Sequence, residues 1–157
     1  MPEFNSILEL EKWLLPKLQS VMQNEVAEVI KKEESNQIKQ KLYAEFEPLA
    51  YERRKDNDGL SDVRNMIATT KTNIHGVTTV IENMTKGNPK YGYKPNDEYI
   101  AGIIANGGHY QYHSDVTSPY YERPRLVNTY TVEALQGNRR HISAIIEGLQ
   151  KYGIYCE

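Results

Sequence analysis

The apolar positions of this chain change their period twice. Leu10, Leu14, Leu18, Val21, Met22, Val26, Val29 and Ile30 recur every three or four places, the spacing of one helix face. Ser6-Ile7-Leu8-Glu9 stands before them as a capping box. Ile38 and Leu42 carry the stripe onward, so an N-terminal helix is expected over 1–42. Pro16 removes a backbone donor inside it and predicts a kink, or a short helix followed by a longer one. Residues 43–62 break the period with Pro48 and carry the turn-forming cluster Lys55-Asp56-Asn57-Asp58-Gly59, which predicts an extended arm or loop. The next stretch is rich in β-branched residues (Thr69, Thr70, Thr72, Ile74, Val77, Thr78, Thr79, Val80, Ile81). With His75-Gly76 as its turn, it predicts an antiparallel hairpin over 63–86.

Helical spacing then returns. Asp97 is placed to cap a short helix carrying Tyr99, Ile100, Ile103 and Ile104. Pro124 opens a second helix that Gly137-Asn138 stops. Ile142, Ile145, Ile146 and Leu149 mark a third, closed by Gly153. Residues 97–153 therefore read as helices joined by tyrosine-rich loops. The order helix, hairpin, helices predicts a single α+β domain over 1–157, with the long N-terminal helix packed on a small antiparallel sheet and helices following.

Composition narrows the function classes. The length of 157 residues suits one domain with one core. Bases and acids nearly balance, 19 against 21, and the net charge of -2 gives no general pull toward nucleic acid or an anionic membrane. No apolar run approaches the length of a membrane span, so no membrane association is expected. Met1-Pro2-Glu3-Phe4 lacks a basic stretch followed by an apolar one, so no secretory signal is expected. The single cysteine, Cys156, cannot form an internal disulfide, which fits a reducing cytoplasm. Twelve tyrosines stand against 2 Phe and 1 Trp, a bias that suits surfaces partly buried by a partner, or a tyrosine-rich core.

One phrase occurs twice. Tyr51-Glu52-Arg53-Arg54 and Tyr121-Glu122-Arg123-Pro124-Arg125 each follow a proline, Pro48 or Pro119. An aromatic beside a charge-paired arginine braces an irregular segment, because the guanidinium stacks and makes forked hydrogen bonds. The expected interface residues are Tyr51, Arg53, Arg54, Tyr91, Tyr93, Tyr110, Tyr112, Tyr121 and Arg123. No nucleophile stands beside a base. Ser114, Ser118 and Ser143 lack a nucleophile-elbow setting, and Gly107-Gly108 is too short to cradle a phosphate. Glu45, Glu47 and Glu52 read as a solvated face. His109, His113 and Asp115 have a spacing that could ligate a metal on a helix, but the flanking Gly-Gly and Thr-Ser-Pro favour a loop. They define an alternative: a metal-binding module or small metal-dependent enzyme. The leading expectation has no catalytic residue, no metal and no cofactor.

The series Tyr43, Phe46, Pro48, Tyr51-Glu52-Arg53-Arg54, Gly59-Leu60, Asp62 resembles a segment of the tail-component family of long-tailed bacteriophages, also called tail-completion or head–tail joining proteins. Residues 100–110, Arg123-Pro124-Arg125 with Asn128-Thr129 and Leu135, and the closing Glu147-Gly148-Leu149-Gln150-Lys151-Tyr152-Gly153-Ile154 resemble later parts of that family in the same order. The resemblance implies a structural protein of the virion neck or tail, made in the host cytoplasm. It implies a homo-oligomeric ring, with a hexamer as the suggested subunit number, that docks loops onto connector and tail-tube proteins. It also implies transient contact with DNA passing through the channel. Residues 43–62 are the expected mobile element, ordering on assembly.

Overall fold

The structure, a computed structural model, describes residues 3–45, 47, 52–73, 76–87, 99–106 and 124–156. A long helical run opens the chain. It comprises α1 (Ile7–Val21), a π-helical turn (Met22–Val26), α2 (Ala27–Gln37) and a second π-helical turn (Ile38–Tyr43). Ser6 caps α1 by accepting the Glu9 N–H on Oγ at 3.3 Å, while Glu9 Oε2 accepts the Asn5 N–H at 2.9 Å. The capping box thus closes one residue earlier than its simplest form.

Pro16 lies inside α1 and does not end it. The helix is not divided at Pro16, since a proline forfeits one bond while the bonds on either side persist. Two irregular turns, both π-helical, follow it. Each carries one extra residue per turn, which lets Val21 and Val26, five places apart, both be buried. The sequence period had hidden this slip.

The hairpin is as expected: β1 (Met66–Asn73) pairs with β2 (Gly76–Asn83) in a two-stranded antiparallel sheet. Gly76 takes φ 127, a conformation that side chains rarely allow, directly after the connecting residues 74–75. The helices that follow are α3 (Ile100–Asn106), α4 (Val127–Asn138) and α5 (Arg140–Gln150). Pro124 stands three residues ahead of α4 rather than at its first turn. The architecture is α+β, with the long helix N-terminal and helices after the sheet.

Contacts group the chain into two compact units. The first comprises Met1–Lys31, Ala68–Ile81 and Leu135–Glu157. Its core is Val21, Val26, Ala144 and Leu149, with Leu14, Leu18, Ile145 and Ile154 packed around them. A Cβ added at Gly148 would lie 2.5 Å from Val21 Cγ1, so α5 touches α1 there without a side chain between. Lys151 bonds Glu25 at 2.8 Å and the Tyr152 hydroxyl bonds Ser20 Oγ at 3.1 Å, so polar contacts flank the close approach on both sides. Gly153 closes α5 at φ 73. Its N–H donates to the Gln150 carbonyl and the Ile154 N–H to the Leu149 carbonyl, and Ile154 packs back on the core. The hairpin's inner face meets α1 where Thr72 Oγ1 donates to Gln19 Oε1 at 3.1 Å.

The second unit comprises Lys32–Ile67 and Glu82–Ala134. It buries Ile38, Leu42, Leu60, Met66, Ile104 and Val127. The chain leaving β2 is extended by an isolated bridge between Lys86 and Tyr99, after which the Ile100 N–H donates to the Thr85 carbonyl. The Arg125 N–H donates to the Ile104 carbonyl, tying the approach to α4 onto the end of α3.

Gly148→Ala is expected to lower unfolding free energy by about 1–3 kcal/mol, because Val21 is itself fully buried and has little room to yield. Urea denaturation followed by circular dichroism measures it. An unchanged midpoint would remove the close approach as a determinant of the α1–α5 pair.

Candidate functional site: a self-neutralised turn

Residues 52–62 take the loop form of the two expected from the sequence. They form successive turns, with Lys55 and Asp58 at left-handed φ of 49 and 61. Asp and Asn tolerate that region better than most side chains, while a Cβ at Gly59 would meet the Lys55 carbonyl oxygen at 2.3 Å. Gly59 is therefore required by a close backbone approach. The turn is held by hydrogen bonds to partners far away in the chain, which local composition does not reveal.

Arg53 faces inward, its side chain only 7% exposed. Its guanidinium lies over the Tyr43 ring at 4.8 Å and donates to the Tyr43 carbonyl at 3.0 Å, with Glu47 Oε2 at 3.8 Å. A brace of the anticipated kind is present on Tyr43, within the chain. Burial pushes the Tyr43 phenol up, and its oxygen accepts the Ser61 N–H at 3.2 Å. Arg54 donates to Asp58 Oδ2 at 2.7 Å and to the Lys86 carbonyl.

Each aspartate of the turn has its own cation. Lys39 meets Asp56 at 2.8 Å, Arg54 meets Asp58, and Arg64 meets Asp62 at 2.5 Å. Asp62 also caps the short 3-10 turn Val63–Asn65 and accepts the N–H groups of Arg64 and Asp58. The Arg64 guanidinium, aided by those amides, outweighs burial and holds the Asp62 carboxyl well below the usual carboxylate range. Asp56 is lowered by Lys39 and by the Ser61 hydroxyl, which donates to it at 2.7 Å. Among the described residues, no cluster of three His, Cys, Asp or Glu is arranged to hold a metal ion.

The turn is fixed to α2 and to the end of β2. Ser35 Oγ donates to the Ser61 carbonyl at 2.6 Å. Asn83 Nδ2 donates to Glu34 Oε1 at 3.1 Å and to the Leu60 carbonyl at 2.9 Å, while its Oδ1 accepts from Thr85 Oγ1 at 2.6 Å. Glu34 is 8% exposed, and desolvation raises its pKa despite the Asn83 bond. Tyr43, Asn83 and Ser35 were not singled out as site residues. The one signal in the sequence is that α2 carries polar residues (Glu33, Glu34, Ser35, Gln37) that the structure buries. The remaining expected site residues, Tyr51, Tyr91, Tyr93, Tyr110, Tyr112, Tyr121 and Arg123, and the alternative metal ligands His109, His113 and Asp115, lie outside the described residues.

The described site thus holds a turn in place by paired charges and buried amides; it presents no nucleophile with its base. The YomN family model matches residues 6–151. The chain belongs to the YomN family, a phage-related family. No curated protein and no solved structure matches it. No helix among the described residues is long and apolar enough to cross a membrane.

Arg53→Ala removes a charge-assisted hydrogen bond and a stacked cation together, and is expected to destabilise the fold by about 2–3 kcal/mol. Denaturation with Arg53→Lys as a control measures it; equal stability of both variants and the parent would count the brace as idle. The two carboxyls give opposite pH dependences. Glu34 binds its proton more tightly folded than unfolded, so its contribution falls as pH rises above about 4.5. Glu34→Gln is therefore expected to be more stable than the parent at neutral pH, with the gap closing in acid. Asp62 contributes above about pH 4 and loses that contribution as pH falls toward its lowered folded value. Melting curves across pH for Glu34→Gln and Asp62→Asn separate the two.

Proposed function

We propose that the chain is a structural virion protein acting in head–tail joining or tail completion, by self-association into a ring and by docking onto connector and tail-tube proteins. The observation that supports this is membership of a phage-related family over residues 6–151, joined to the ordered motifs that resemble tail-completion proteins. On this reading the Arg53–Asp62 turn is a positioning device. It sets the chain on either side of it against α2, and Arg53 and Arg54 act through that placement rather than by touching a partner. On this reading the two arginines serve the fold rather than DNA, since each already faces a carboxylate, Glu47 or Asp58.

Apolar side chains left in water fit the same reading. Ile7, Tyr155, Leu8, Val132 and Leu126 are each half exposed or more, and a protein whose working state is an assembly covers such groups with its neighbours.

A phage lacking the gene tests the proposal. Lysates are expected to hold filled heads and separate tails, joined on supply of the protein in trans, and the protein is expected in purified particles at a fixed copy number. Joined, infectious particles without the protein would refute it.

A further inference from the structure

Ile7, Leu10, Leu14, Leu18 and Val21 form one stripe on α1, spaced by three or four residues. Val21 is fully buried against α5, Leu14 and Leu18 are half covered, Leu10 is 37% exposed and Ile7 is 75% exposed. The stripe outruns its cover. Leu8, 60% exposed, widens the exposed tip.

The charges around this tip are acidic on balance: Glu3, Glu9 and Glu11 are exposed, against one exposed base, Lys12. Two tips placed together would oppose like charges. The start of α5 has the opposite character. Arg139 and Arg140 are exposed, and beside them Ile142 is 44% exposed. An apolar residue flanked by arginine matches an apolar tip flanked by glutamate. Both surfaces belong to the same compact unit.

We infer that the N-terminal tip of α1 is a self-association surface whose occupant is the start of α5 from a second copy of this chain. Ile7 and Leu10 pack on Ile142, and Glu11 pairs with Arg139 across the contact. The inference deepens the assembly reading and rests on it in holding that copies meet.

Sedimentation equilibrium of the purified full chain tests it, with melting curves to show that each variant is folded. The parent is expected to associate reversibly, and less so as salt is raised. Ile7→Asp with Leu10→Asp, or Ile142→Asp alone, should weaken association by about tenfold or more. Glu11→Arg should weaken it, and Glu11→Arg combined with Arg139→Glu should restore it. The tip variant mixed with Ile142→Asp should form a dimer, because each supplies the surface the other lacks. A folded parent that stays monomeric at its highest soluble concentration overturns the inference, as does a mixture that stays monomeric or a charge exchange that restores nothing. The virion reading has its own test in particle content, so either can fail alone.

Discussion

The amide of Asn83 is the group on which the second unit depends. Its nitrogen donates to a helix carboxylate and to a turn carbonyl, and its oxygen receives the Thr85 hydroxyl. No apolar residue of similar size could serve, because the buried Glu34 carboxyl would lose this donor. The Leu60 carbonyl would lose its donor with it. One side chain therefore sets the distance between α2, the turn and the end of β2. The arginine stack on Tyr43 and the Ser35 bond to Ser61 then fix the turn's other flank.

This arrangement explains why an irregular segment with several charges is held so firmly. Its stability comes from pairing each carboxylate locally and from burying few polar groups without partners. The turn needs little hydrophobic burial: Leu60 is its main apolar anchor. The first unit works differently. Its α1–α5 pair is held by apolar contact at Gly148, with polar bonds from Lys151 and Tyr152 at the rim.

What could be read from the sequence follows from the range of the interactions. The capping box at Ser6, the hairpin and the closing Gly153 were legible because each is decided by residues within a few positions. The α+β order was legible for the same reason. The unbroken helix through Pro16 was not, since composition does not show how the neighbouring turns hold. The turn at residues 52–62 was least legible. Its partners Ser35, Asn83 and Lys86 are more than fifteen residues away, and the Tyr43 ring under Arg53 stands ten residues before it. A charged residue in a polar run resembles a solvated one until the fold is known.

The matched cations of the turn also bear on how this protein can vary. Lys39 with Asp56, Arg54 with Asp58, and Arg64 with Asp62 form three separate couples. In the first two the aspartate is open to water, so drift at either member is tolerated. Asp62 is enclosed and also takes two backbone amides, so it should be inherited unchanged while its mate varies.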